Sequence, residues 1–177
     1  MWPKKHPITD HKPRTKSPEQ ALASLMRLCA RAEKCEGDAR RLMRGWGVDP
    51  TAAETIVARL VKDRFIDDRR YTNLFVREKL NLSGWGAYKI RTALKRKEIS
   101  EEIIREALAD LDTDRLRDRL EELLQRKLRT LKAKTPYELK AKLIRYGLSL
   151  GYEYETVLDA AQKQLSQAPQ SCDEYSC

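Results

Sequence analysis

Apolar residues recur along this chain at intervals of three and four, the period of a helix buried on one face. The first stretch opens at Ser17-Pro18-Glu19-Gln20. Ser17 can cap a helix, Pro18 suits its first position, and Gln20 completes a capping box. Leu22, Leu25, Met26 and Cys29 form its stripe. A second helix, over about 36–46, carries Leu42, Met43 and Trp46, and Gly47 suits a left-handed stop. Asp49-Pro50 opens a third helix with Ala53, Ile56, Val57 and Leu60 on one face.

The same order of features returns twice. Helices over about 68–80, over about 86–97 and from Ser100 onward carry Tyr71, Leu74 and Phe75, then Ile90, Ala93 and Leu94, then Ile103, Ile104, Ala107 and Leu108. After Asp112 a long helix carries Leu116, Leu120, Leu123, Leu124, Leu128 and Leu131. Thr135-Pro136-Tyr137-Glu138 is a second capping box, opening a helix with Leu139 and Leu143 that is expected to stop at Gly147. The last helix, over about 153–165, carries Val157, Leu158 and Ala161.

These helices fall into triplets. Trp46-Gly47-Val48-Asp49 aligns with Lys97-Glu98-Ile99-Ser100 and with Tyr146-Gly147-Leu148-Ser149, each an aliphatic residue followed by a capping residue. Met43, Leu94 and Leu143 stand five positions before the aliphatic residue, and Val57, Leu108 and Val157 stand nine after it. A repeat of about fifty residues points to units stacked in series. The expected fold is all-α, with three tandem three-helix repeats in an elongated, curved arrangement. Its parts are a flexible basic arm (1–16), repeats over 17–66, 67–111 and 112–165, and a polar tail (166–177).

Composition supports helices: 36% of the 177 residues are charged, 7% are aromatic, and glycine and proline number seven each. The net charge of +9 adds a statement about partners, which should be nucleic acid, an acidic protein surface or an anionic membrane. No stretch approaches the ~20 apolar residues of a membrane helix. The basic N-terminus has no apolar run behind it, so it does not read as a signal peptide, and the cytoplasm is the simplest location. Cys29, Cys35, Cys172 and Cys177 form no C-x-x-C pair, and neither His6 nor His11 is near them in sequence. No zinc site is expected, and the thiols should be reduced.

One stretch invites a catalytic reading: Phe65-Ile66-Asp67-Asp68-Arg69-Arg70-Tyr71-Thr72-Asn73-Leu74-Phe75. Two adjacent carboxylates could hold a metal or work as acid and base. Helix grammar explains them more fully. Asp67 at the N-cap can accept from the N–H groups of residues 69 and 70, and Asp68 faces the positive end of the helix dipole. Ile66 and Tyr71 have the spacing of a hydrophobic staple. A metal would need further ligands brought in from elsewhere. There is no G-x-x-x-x-G-K-[ST], G-x-S-x-G or H-E-x-x-H, so neither a catalytic residue nor a cofactor or metal is expected. Gly84-Trp85-Gly86 is too short to cradle phosphate and reads as a helix-to-helix turn.

The basic clusters carry more information. Lys89, Arg91, Lys95 and Arg96 lie on the arc opposite Ile90, Ala93 and Leu94, with no acid among them. Between 126 and 145 stand Arg126, Lys127, Arg129, Lys132, Lys134, Lys140, Lys142 and Arg145 against Glu138 alone. Arg40, Arg41 and Arg44 give the first unit a smaller version. Most charge runs are solvated helix faces, but an ordinary surface mixes both signs. One-sign clusters point to contacts with phosphate or an acidic surface, without base readout.

From Cys29 to about residue 111 the chain resembles the RecX family of bacterial RecA regulators. The resemblance rests on Cys29-Ala30-Arg31-Ala32-Glu33, Cys35-Glu36-Gly37-Asp38, Phe65-Ile66-Asp67-Asp68-Arg69-Arg70-Tyr71, Phe75-Val76-Arg77 and Trp85-Gly86-Ala87-Tyr88-Lys89-Ile90, in order and spacing. The third unit matches more loosely. The resemblance implies tandem three-helix repeats and a non-enzymatic protein. It further implies binding to the RecA filament, inhibition of RecA's recombinase, ATPase and coprotease activities, and binding of single- or double-stranded DNA. Action as a monomer, away from membranes, is expected. The family usually has Gly where this chain has Glu98, so that turn must either take a costlier left-handed conformation or end its helix differently. The competing reading is a helical DNA-binding protein that acts without RecA.

Overall fold

A computed structural model of the protein describes residues 15–109 and 111–167. Among them the regular structure is entirely helical. In chain order the helices are α1 (Pro18–Cys29), α2 (Glu36–Gly45), α3 (Pro50–Lys62), α4 (Asp68–Asn81), α5 (Ala87–Lys95), α6 (Glu101–Ala109), α7 (Thr113–Leu128), α8 (Pro136–Ser149) and α9 (Tyr154–Gln167). The chain divides into two compact units, one up to Tyr71 and one from Thr72 onward.

The first unit is built on the α1–α3 triplet. Its core gathers Ala21, Leu25, Ala39, Met43, Ile56, Val57, Leu60 and Ile66; of the predicted stripes of α1 and α2 only Leu25 and Met43 are fully buried, while Leu22, Met26, Cys29, Leu42 and Trp46 pack partly buried against the core. Both halves of the Ser17/Gln20 capping box form, and Asp49 caps α3 through Thr51 and Ala52 N–H. Gly47 takes the left-handed conformation after α2, at φ 67°. Lys16, placed with the flexible arm by sequence, is instead fixed: its N–H donates to the Trp46 carbonyl at 3.1 Å and its ammonium lies 3.4 Å from the Trp46 ring centroid. Residues 1–14 of the expected arm, with both histidines, lie outside the described residues, as does the tail from 168 onward with Cys172 and Cys177, while Ser166 and Gln167, placed in the tail by sequence, belong to α9.

In the second unit α7, α8 and α9 share a core of Leu120, Leu124, Leu143, Leu150, Tyr152, Val157, Ala160 and Ala161. Two corrections to the sequence expectation arise here. Leu131 lies beyond α7, which ends at Leu128 with Arg129 at its C-cap. The helix expected to stop at Gly147 runs two residues past it, to Ser149, and the left-handed residue is Gly151 at φ 87°. Gly147 has a packing role instead, because a Cβ there would stand 2.6 Å from Val157 Cγ1. The third turn of the repeat is therefore Gly151-Tyr152-Glu153, four residues later than the alignment expected. Gly47, Glu98 and Gly151 all have positive φ, each followed by a buried residue (Val48, Ile99, Tyr152). Glu98 does adopt the left-handed conformation, at φ 63°.

The Gly84-Trp85-Gly86 stretch does more than join α4 to α5. Gly86 at the N-cap of α5 offers no side-chain cap. Its own N–H donates to the Leu150 carbonyl at 2.8 Å, and that of Tyr88 to the Gly151 carbonyl at 3.3 Å. Two of the orphan donors that open α5 are thus satisfied by the α8–α9 turn. The backbones approach so closely that a Cβ on Gly86 would lie 2.4 Å from the Gly151 oxygen, and one on Gly151 2.3 Å from Lys89 Cβ.

Candidate anion-binding interface

The two carboxylates at the start of α4 serve two different helices. Asp67 Oδ1 accepts from Arg70 N–H at 2.9 Å, and its carbonyl accepts from Tyr71 N–H, which makes it the cap of α4. Ile66 and Tyr71 are both buried, as a staple requires. Asp68 Oδ1 accepts from the Glu36 N–H at 2.9 Å, so it satisfies an opening donor of α2 rather than only facing its own helix. Burial pushes the Asp68 carboxyl up from its ordinary pKa, opposed by that hydrogen bond. Arg70 completes the clip with Glu33 at 2.8 Å. Sequence spacing could not show the α2 contact, which spans 32 positions. Among the described residues no three His, Cys, Asp or Glu side chains gather as a metal site.

The arginines of α2 are mostly engaged within the first unit. Arg40 bonds Glu36 and Glu54, both at 2.9 Å, and the Glu54 hydrogen bond is the main cause that pushes its guanidinium pKa up. Arg41 pairs with the buried Asp38. Arg44 is exposed in the last turn. The expected small one-sign cluster is therefore largely neutralised by acids from its own turn and from α3.

The α5 face is altered in the same way. Arg91 and Lys95 reach Glu101, the first residue of α6, at 2.5 and 2.9 Å. The expectation of a face without acid fails because the acid comes from the next helix. Lys89 donates to the Ser149 carbonyl at 2.9 Å and lies 4.7 Å from the Trp85 ring centroid. Lys79, which sequence reasoning passed over, lies 5.5 Å from the same centroid. Ammonium groups so placed over an indole are held by the ring quadrupole. Arg96 is exposed at the helix end.

The 126–145 segment keeps more of its charge outward. Glu138, its single acid, is used locally: its carboxylate accepts from Lys134 N–H at 2.8 Å and pairs with Lys142 at 2.7 Å, while Thr135 Oγ1 caps Glu138 N–H at 3.1 Å. Lys142 also donates to the Lys132 carbonyl at 2.6 Å. Lys142, expected to bind anions, is thereby a strut that ties the α7–α8 connection to α8. Arg126 lies 3.5 Å from Glu122, and Lys127 lies 5.3 Å from the Tyr146 ring centroid. Arg129, Lys132 and Lys134 are exposed in or beside the connection, Lys140 is half-buried on α8, and Arg145 is exposed with its Nε turned to the Ala141 carbonyl at 3.4 Å. Tyr137 stands among them 84% exposed, a residue that sequence reasoning used only as part of a capping box.

Family models described as the second and third three-helix domains of RecX match residues 67–108 and 114–164. The chain is 31% identical over 145 residues to the protein named Regulatory protein RecX from Clostridium beijerinckii, covering 81% of this chain and 67% of that protein. It is 30% identical to the protein of the same name from Clostridium botulinum strain Alaska E43, covering 75% of this chain and 63% of that one. The fold matches the crystal structure of RecX from Lactobacillus salivarius with a TM-score of 0.70 at 17% identity, over 84% of this chain and 96% of the other. With tandem three-helix domains in sequence and in fold, the chain belongs to the RecX family of regulatory proteins.

Proposed function

We propose that this protein binds the RecA–DNA filament and restrains RecA, lowering its recombinase, ATPase and coprotease activities. The observation that carries this reading is the family membership over consecutive three-helix domains. The outward cations of the third domain support it physically, because a filament offers phosphate or acidic surface at repeated points and weak contacts on a linked chain add up. The protein acts through binding, as a cytoplasmic monomer, with no catalytic residue, metal or cofactor. Arg44, Arg96, Arg126, Arg129, Lys132, Lys140 and Arg145 are the sequence-selected cations best placed to meet the partner. Arg40, Arg41, Arg91, Lys95 and Lys142 act first on the fold, through their ion pairs.

The deciding measurement is single-strand-stimulated ATP hydrolysis by RecA with increasing amounts of this protein. Inhibition near stoichiometric ratio is expected. Unchanged hydrolysis would remove RecA as the partner and leave the second reading, a DNA-binding protein that acts alone, which the same outward cations favour.

A further inference from the structure

The cations of the α7–α8 connection are not a loose run. Glu138 holds the Lys134 N–H and pairs with Lys142, and Lys142 holds the Lys132 carbonyl. Thr135 and Pro136 then fix the start of α8. The two bonds that reach the connection use only the backbone of Lys134 and Lys132, and both residues are exposed, so their ammonium groups are left to solvent while their positions are set. Tyr137 follows at once, at the second position of the helix, with 84% of its surface free. Lys140 and Arg145 extend the charge along α8.

We propose that this segment is a platform for single-stranded nucleic acid, on which Tyr137 stacks against an unpaired base while Lys132 and Lys134 hold the flanking phosphates. The proposal deepens the reading above, since it names what the third domain would meet in a filament. A cationic track alone would serve any anion, duplex or acidic protein included. An almost free phenol ring placed within that track adds a surface that an unpaired base can use and a stacked, paired base cannot. A protein partner would ask for an apolar centre with a polar rim, whereas here the ring is bordered by Lys132, Lys134 and Lys140 in sequence. The fixed connection lowers the ordering cost of binding.

The experiment measures anisotropy of a labelled oligothymidylate and of a duplex of equal length, titrated with the full chain. Parallel wells follow RecA ATP hydrolysis. Tyr137→Ala is expected to weaken single-strand binding roughly tenfold and leave duplex binding within about twofold, with Tyr137→Phe close to the parent. Lys132→Glu with Lys134→Glu should weaken both and flatten the salt dependence. Circular dichroism with unchanged helicity shows that the variants are folded, as expected for a ring so exposed. Equal losses on single strand and duplex, or no loss with Tyr137→Ala, overturn the proposal. So does a parent that inhibits RecA but binds neither DNA, which would mark the strip as a protein contact and leave the reading of function standing. Selective single-strand binding without any effect on RecA would instead overturn that reading and keep the platform.

Discussion

In the first domain Arg40 spans two carboxylates, Arg41 pairs with Asp38, and Arg70 pairs with Glu33. In the third, Arg129, Lys132, Lys134 and Arg145 sit exposed around one acid that is already occupied by Lys142. Both runs looked similar as sequence. The difference is whether another element supplies a carboxylate. Glu54 on α3 and Glu33 before α2 do so in the first domain, and among the described residues Glu138 is the carboxylate that engages the α7–α8 connection. Exposed ion pairs contribute little individually, about 0–1 kcal/mol each. Their larger effect is to set which cations remain available to a partner. At the junction of the second and third domains backbone contributes as well: Gly86 and Gly151 allow a carbonyl-to-amide clasp, beside which the Lys89 ammonium holds the Ser149 carbonyl.

The sharpest way to break this comparison is Gly86→Ala. The new methyl would meet the Gly151 carbonyl at 2.4 Å, where backbone and not a flexible side chain must give way. A loss of about 3 kcal/mol in urea unfolding is expected. A loss below about 0.5 kcal/mol would mean that the clasp is loose and that something else joins those domains. Asp67→Ala tests the other side, where a charged group acts on fold. It should cost about 1 kcal/mol through the lost cap of α4, with RecA inhibition changing only as far as the folded fraction does. Inhibition lost at full helicity would give Asp67 a direct role at the partner.

How far the sequence could be read follows from the same distinction. Local grammar was legible: the Ser17/Gln20 box, the Asp49 and Asp67 caps and the Gly47 stop all form as their spacing indicates. Gly147 misled because a glycine followed by an aliphatic residue fits both a helix stop and a close helix contact. Only Val157, ten positions on, decides for contact. The misplaced turn then displaced the third repeat by one helical turn. Charge was the least legible feature. Lys89 finds its acceptor 60 positions away and Arg40 its second acid 14 away, and neither separation carries a periodic signal. Tyr137 was visible only as a capping-box residue, because exposure of an aromatic ring is a property of packing and not of pattern.

The smallest expected effect concerns Asp68. Burial is the largest influence on its carboxyl and raises the pKa; Glu36 and Asp67 act the same way, while the Glu36 N–H hydrogen bond and Arg40 oppose it. An acid whose folded pKa lies above its unfolded value binds its proton more readily when folded. Its contribution to stability is therefore fully present below the unfolded pKa and declines as pH rises through the folded one, the reverse of a salt-bridged carboxylate. Asp68→Asn removes the titration but keeps an oxygen that can accept from Glu36 N–H. Urea midpoints from pH 4 to pH 7 should then show the variant gaining on the parent as pH rises, with the two nearest at the acid end. If the variant is instead less stable at pH 7 than at pH 4 relative to the parent, the negative charge itself holds the start of α2, through its dipole or Arg40, and Asp68 belongs with the ion-paired residues of the first domain.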